Sequence, residues 1–194
     1  MVLHNRHTGE TLALRRVAHG PQVCLEMKGT LAPHKAGPPL HVHYAETEEG
    51  MVVAGTLSAV VDGRKVTLRA GERGTFPAGS VHRWWNDGDE TLVFEGLARP
   101  VVDLDRYLQA VFEVLNSGSS GRPPLFHMAH VAWRHRRTQS LRVIPPWIQA
   151  VVLPVVVLIG TALGRYRGTG WPGCPARCTG APLTSADGSP QSGG

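Results

Sequence analysis

The sequence predicts a mainly β domain, a barrel or a sandwich, followed by C-terminal α-helices. Three observations support this fold class. Short stretches with the composition of β-strands alternate with turn signals from Glu10 to Leu97. The chain contains 23 glycines and 15 prolines, which suits a domain with many turns. After Pro100 the apolar residues recur at spacings of three and four, which is typical of a helix.

The β part is expected to hold eight to ten short strands, and residues 1–9 are polar and expected to be loose. The first two strands are predicted from Glu10 to Val17 and from Val23 to Leu31. Asp62-Gly63 is a strong signal for a two-residue hairpin. Further strands are predicted at Leu40 to Tyr44, Glu48 to Ala54, Leu57 to Val61, Arg64 to Leu68, Gly74 to Phe76, Val81 to Trp85 and Glu90 to Leu97.

The C-terminal part is divided by its composition. Leu104 to Leu115 is predicted to be a helix that Asp103 could cap, and a second helix could run from Pro123 to about Arg137. Gly, Pro, Ser and Thr dominate at the end of the chain, which predicts disorder. We therefore expect a β-barrel over residues 1–98, a helical appendage over 99–166 and a disordered tail over 167–194.

The apolar segment 144–163 contains no charged residue and is flanked by Arg142 and Arg165. Pro154 lies near its middle and would kink a helix. Three interpretations are open: the segment crosses a membrane, lies in a membrane interface, or packs against the barrel or a second subunit. Its many valines lower helix propensity in water, which favours a nonaqueous environment.

Three histidines and a carboxylate occur at spacings that could hold one metal ion. His41 and His43 point to the same face of a strand because side chains alternate with period two. Glu48 can join them only if the chain bends between Tyr44 and Thr47, and His82 follows the Pro77-Ala78-Gly79 turn. Such a mixed nitrogen and oxygen ligand set suits a borderline divalent metal.

These stretches resemble the paired signature motifs of the cupin superfamily. The first motif is matched by Gly37, His41, His43, Glu48 and Gly55, although the gap from Gly37 to His41 is three residues where the family usually has five. The second motif is matched at every position by Gly71, Pro77, Gly79, His82 and Asn86. The resemblance covers about residues 20–98. Glu46 competes with Glu48 for the carboxylate position, but only Glu48 has the spacing of the motif, so Glu46 and Glu49 are expected to be solvated.

The resemblance implies the cupin double-stranded β-helix, a jelly-roll barrel, and a homodimer. It also implies that His41, His43, Glu48 and His82 bind one divalent transition metal: Fe, Mn, Ni, Co, Cu or Zn. A cupin barrel that keeps these residues but holds no metal is the alternative. The metal would face a mostly apolar pocket, with candidate wall residues Met51, Val53, Leu57, Phe76, Trp84 and Phe94.

Three functions are compatible with this site. The first is a metal-dependent oxidoreductase resembling the quercetin-dioxygenase-like cupins, which would act on a small organic substrate and in which Glu48 could also be a catalytic base. The second is a metal-dependent isomerase or lyase on the same ligands. The third is a non-catalytic small-molecule-binding module whose C-terminal helix associates with a membrane or a partner. Beyond Glu48 the sequence shows no clear general acid or base, so enzyme status stays open.

Composition and charge limit the partners. The net charge is +5, but the basic excess lies mainly in the last third of the chain, which contains seven arginines and one acidic residue, Asp187. No aromatic-rich basic stretch indicates binding to nucleic acid. The N-terminus lacks the apolar run of a secretory signal, so we expect a cytoplasmic protein, with membrane association through 144–163 as the alternative.

Overall fold

Two antiparallel β-sheets form most of the structure. The computed structural model describes residues 1–118 and 123–166. The strands of the first sheet are β1 (Val2–His4), β2 (Thr11–His19), β3 (Gln22–Leu31), β5 (Thr47–Ala54), β8 (Arg73–Phe76) and β10 (Leu92–Arg99). Those of the second are β4 (His41–His43), β6 (Thr56–Val61), β7 (Arg64–Arg69), β9 (Val81–Asn86) and β11 (Gln139–Leu141). The first sheet has the strand order β1-β2-β3-β10-β5-β8, and the second has the order β11-β4-β9-β6-β7.

Two tight connections show why particular turn residues are needed. Asp62 and Gly63 join β6 to β7 with φ angles of 47° and 81°, the left-handed conformation that the predicted two-residue hairpin requires. Gly55 joins β5 to β6 with a φ of 77°, and a Cβ at this position would lie 2.8 Å from the carbonyl oxygen of Thr91. A side chain at residue 55 would therefore strain the turn that separates the two sheets.

The hydrophobic core has one part between the sheets and another beneath the first helix. The first part consists of Leu31, Val52, Leu57, Ala59 and Leu92. In the second part, Leu104 and Phe112 of helix α1 (Leu104–Ser117) pack against buried residues of β1, β2, β3 and β10. Leu25, Met27 and Leu31 of β3 point to the same face of the first sheet, so the first helix covers the part of this inner face that the second sheet does not reach.

Two further helices follow α1. Helix α2 (Leu125–Arg134) ends earlier than the sequence predicted, and helix α3 (Pro146–Ala162) lies within the apolar segment 144–163 and packs along α2. Among the helices of residues 1–118 and 123–166, none combines the length and the apolar character needed to cross a membrane. The mainly β architecture with C-terminal helices is thus confirmed, while the predicted disordered tail at 167–194 lies outside the described residues.

Two expectations about local structure were wrong, and one strand was not predicted. Residues 1–9 are not loose throughout, because Val2–His4 pairs with β2 and the amino group of Met1 donates to the carbonyl oxygen of Leu14 at 2.7 Å. Strand β11 was not predicted. Asp103 precedes α1, but its side chain makes no capping hydrogen bond; its Oδ2 accepts a hydrogen bond from His135 Nδ1 at 2.6 Å. In each case a residue distant in sequence supplies the partner, which local patterns do not reveal.

Candidate metal centre

The four predicted ligands meet where the two sheets face each other. His41 and His43 belong to β4, and His82 lies beside His41 on β9. Glu48 belongs to β5 in the opposite sheet, so the expected bend between Tyr44 and Thr47 is present. The structure brings one ligand atom from each of these residues within 4.8 Å of all the others.

The separations between these atoms suit a single ion. The Nε2 atoms of His41 and His43 are 3.0 Å apart. Oε2 of Glu48 lies 3.6 Å from His43 Nε2 and 3.5 Å from His82 Nε2. Ligand atoms about 2.1 Å from an ion are about 3.0 Å apart at a right angle and about 3.4 Å apart at the tetrahedral angle. The cluster therefore needs little rearrangement to hold an ion.

Each imidazole is oriented by a hydrogen bond from its other ring nitrogen. His41 Nδ1 lies 2.8 Å from the carbonyl oxygen of Pro39, and His82 Nδ1 lies 3.1 Å from that of Ser80. His43 Nδ1 bonds to Oε1 of Gln139. Since a carbonyl oxygen only accepts, each Nδ1 carries the hydrogen, and each Nε2 faces the cluster. This is the second-shell arrangement by which proteins fix metal-binding histidines.

Burial and charge in the cluster favour a bound cation. Burial, with the neighbouring imidazoles of His43 and His82, lowers the pKa of His41 to about 3, so His41 is neutral. Burial alone would raise the pKa of Glu48, but the imidazoles of His43 and His82 outweigh it and hold the pKa below its usual value. Within the described residues, the buried Nε2 of His82 has no hydrogen-bond partner. An ionised carboxylate and an orphaned buried nitrogen suit a cation, so these four side chains could bind one metal ion.

Sequence reasoning missed a buried network behind His43. Gln139 on β11 is paired with His43 in register, and its Nε2 donates to Glu46 Oε2 at 3.4 Å. Oε1 of Glu46 in turn accepts a hydrogen bond from the backbone N–H of Val102 at 3.3 Å. The expectation that Glu46 is solvated was therefore wrong: its side chain is fully buried, and burial raises its pKa. No local signal marks Gln139, because it lies between two helices, more than 50 residues beyond the second motif.

An apolar cavity of about 460 Å³ adjoins the cluster, with His41, His43 and Glu48 in its wall. Five of the predicted wall residues line it: Met51, Leu57, Phe76, Trp84 and Phe94. The sixth, Val53, does not line it and is 45% exposed, because the neighbouring Val52 takes the inward position on β5. Helix α1 adds Tyr107, Leu108, Val111 and Phe112 to the wall.

One region of the cavity wall is polar. Asn5, Thr8 and Glu10, from the segment joining β1 to β2, line the cavity there. Glu10 is buried, and burial raises its pKa to about 7. Within the described residues its carboxyl group has no ion-pair partner. A ligand in this cavity would thus meet apolar walls, the metal-ligand cluster and the carboxyl group of Glu10.

Comparison with known proteins identifies the β domain. Residues 27–98 match the family model described as "Cupin domain". This part of the chain is a cupin domain. The resemblance drawn from the two motifs is therefore confirmed, and the two sheets are the two halves of its jelly-roll barrel.

Similar proteins carry several different names. The oxidoreductase iacF of the fungus Pestalotiopsis fici is 38% identical over 79 residues, which is 39% of this chain and 39% of that relative. The match thus spans about two-fifths of the relative's length. Among solved structures, KdgF from Halomonas sp. is 23% identical with a TM-score of 0.42, covering 50% of this chain and 84% of KdgF. A mutant of the oxalate decarboxylase OxdC from Bacillus subtilis is 25% identical with a TM-score of 0.40, covering 45% of this chain and 25% of OxdC.

Proposed function

We propose that this chain is a metal-dependent oxidoreductase, dioxygenase-like in its chemistry, that acts on a small and mostly apolar organic substrate. One observation carries the proposal: three oriented imidazoles and a carboxylate converge beside an apolar cavity. The oxidoreductase relative over 79 residues supports the reaction class. Because the match covers only 39% of that relative, we do not assign the relative's substrate to this chain.

His41, His43, Glu48 and His82 would hold the metal, and Gln139 would keep His43 in the orientation that binding needs. A bound first-row transition ion would supply redox or Lewis-acid chemistry at this end of the cavity. Glu48 is ionised at neutral pH because its pKa is lowered. Its carboxylate could therefore accept a proton from a substrate hydroxyl held against the cluster, which is the catalytic role we assign to it.

The cavity limits the substrate to a small, largely apolar molecule. A volume of about 460 Å³ lies within the range of roughly 300–1,000 Å³ typical of small-molecule sites. Its aromatic walls, including Trp84 and Phe94, whose ring centroids are 5.1 Å apart, would bind an apolar ring and exclude water from it. Glu10 would meet a hydroxyl or amino group on the substrate, because an unpaired buried carboxyl group gains most from a hydrogen-bond donor.

The first experiment is elemental analysis of the purified protein beside a His41→Ala/His82→Ala variant whose circular dichroism confirms folding. We expect about one metal ion per parent chain and almost none in the variant. Oxygen consumption with a panel of phenolic substrates then tests the reaction class. If the parent binds no ion after reconstitution with Fe, Mn, Ni or Zn, the enzyme proposal fails, and a small-molecule-binding module becomes the better interpretation. If an ion binds but no oxygen is consumed, an isomerase or lyase on the same ligands is favoured.

A further inference from the structure

Helix α3 presents an apolar face to the outside of the protein. Trp147, Val151, Val155 and Leu158 are 72%, 65%, 50% and 70% exposed. Their spacings of four, four and three residues place them along one side of the helix, and we call this set the α3 face. Val152 and Ile159, also exposed, widen it on one side. Proteins that stay in water rarely leave so many large apolar side chains of one helix uncovered.

The orientation of the helix is fixed by its opposite side. Gly160 is buried, and a Cβ there would collide with the hydroxyl oxygen of Tyr166 and lie 3.0 Å from Cδ1 of Phe126 in α2. At the other end, Gln149 Nε2 donates to the carbonyl oxygens of Leu141 and Ile144. Because these contacts fix the two ends of α3 on its opposite side, the α3 face lies on the solvent side of the helix.

The sequence on both sides of α3 is rich in arginine and contains no acidic residue. Between Glu113 and Asp187 the chain contains eight arginines and no aspartate, glutamate or lysine. Five of them lie in the described residues: Arg134, Arg136, Arg137, Arg142 and Arg165. Arg142 precedes α3 and Arg165 follows it. Within the described residues none of these five is in an ion pair. Arg142 is half-buried and donates to the hydroxyl oxygen of Tyr44 at 3.3 Å, whereas the other four are exposed and their charges can reach an outside partner.

We propose that α3 docks this protein on the surface of an anionic lipid bilayer, with the helix lying parallel to the membrane plane. The α3 face would enter the boundary between headgroups and acyl chains, where Trp and aliphatic side chains are favoured. Arg142 and Arg165 would meet lipid phosphates at the two ends of the helix, because a guanidinium group donates two parallel hydrogen bonds to a phosphate. The charge of the surrounding segment selects this partner over an uncharged protein surface.

This inference is independent of the proposed function. The α3 face, Arg142 and Arg165 belong neither to the metal centre nor to the cavity wall, so the protein could bind vesicles with or without a metal ion. It concerns where the cupin domain works: a catalyst or binding module held at a membrane surface would draw its apolar ligand from the lipid phase.

The test is co-sedimentation of the full-length protein with phosphatidylcholine vesicles that contain or lack phosphatidylglycerol. We expect binding to the anionic vesicles, weakening with added salt, and at least tenfold less binding to pure phosphatidylcholine. Trp147 provides a second readout, because its emission should shift to the blue and become protected from a soluble quencher on binding. Trp147→Phe should remove most of that shift while the protein still sediments with the vesicles.

Matched variants separate the α3 face from a general effect of charge. Val151→Glu should reduce vesicle binding at least tenfold, whereas Val66→Glu, at an exposed apolar residue on the barrel strand β7, should reduce it much less. Arg142→Gln and Arg165→Gln should each weaken binding by about fivefold, as expected for one arginine near an anionic surface. Unchanged circular dichroism and metal content would show that each variant is folded.

Three results would overturn the proposal. The first is absence of sedimentation with anionic vesicles at low salt. The second is equal binding by the parent and Val151→Glu. The third is protection of Trp147 from the quencher without vesicles, which would show that another part of this chain or a second copy covers the α3 face. Light scattering then distinguishes these two occupants, because only a second copy doubles the mass.

Discussion

The metal centre and helix α3 place their side chains in opposite ways. In the centre, ionisable groups are buried: His82 is fully inside the barrel and His43 is 3% exposed. On α3, large apolar groups are exposed, with Trp147 and Leu158 both at 70% or more. Both regions depart from the usual rule that apolar groups lie inside and charged groups outside. The buried ionisable groups and the exposed apolar groups each lower the stability of the free protein. A cation in the first case and a lipid surface in the second could offset this cost.

The largest expected effect tests the metal centre. Removal of the bound ion by a chelator should lower the free energy of unfolding by about 4 kcal/mol, if the free ion had been held at a thousand times its Kd. His82→Ala should show almost no response to the same chelator, because it lacks a ligand. Thermal unfolding of both proteins, with and without chelator, measures this. An equal response of the two proteins would contradict the assigned site.

The buried carboxyl group of Glu10 should give the next largest effect. Its pKa in the folded protein is about 7, against 4.5 in the unfolded chain, so the folded state binds more protons between these values. Stability therefore falls as the pH rises from about 4.5 to about 7. Glu10→Gln should be more stable than the parent by up to about 3 kcal/mol at pH 8 and nearly equal to it at pH 4. Urea unfolding at the two pH values measures the difference, and a pH-independent difference would contradict this account.

A smaller effect is expected from Gln139, which orients His43. Gln139→Leu should lower metal affinity by about 10- to 100-fold, because a ligand imidazole loses the acceptor for its Nδ1–H. Ser140→Ala on the same strand is the matched control and should bind metal normally, since within the described residues the Ser140 hydroxyl donates to the carbonyl oxygen of Leu141 and to no group of the metal centre. Competition with a chromophoric chelator gives both constants. Equal affinities would show that β11 closes the barrel without influencing the centre.

The smallest effect is expected on the α3 face. Leu158→Ser should change the free energy of unfolding by less than about 0.5 kcal/mol, because the side chain is already exposed. Val114→Ala in α1, a fully buried site, should cost about 1–3 kcal/mol. Chemical denaturation of the two variants in the absence of lipid measures the contrast. A large loss of stability in Leu158→Ser would show that the α3 face is covered within the protein.

The two motifs carried most of what could be predicted about the centre. His41 and His43 share one face of a predicted strand, and His82 follows a turn signal. Glu48 was assigned by the spacing of the motif, on the condition that the chain bends between Tyr44 and Thr47. Gln139 could not be found in this way. It reaches His43 only because β11 pairs with β4, and this contact joins residues 96 apart in sequence. Glu46 was misjudged for the same reason, since its burial depends on Gln139 and Val102.

The sequence by itself determined the strand and turn pattern, the hairpin at Asp62-Gly63, the cupin domain and the approximate limits of three helices. The cupin domain follows from the resemblance of two motifs to those of the family, and the other features follow from local periodicity and backbone preference, which act within a few residues of the chain. The tertiary structure decided which side chains are buried and which distant segments are in contact. Examples are the place of Val2–His4 in the first sheet, the contact of Gln139 with His43, the part of the cavity wall formed by α1 and the exposed face of α3. These depend on contacts between distant segments, and burial becomes defined only when the layers that exclude water have packed together.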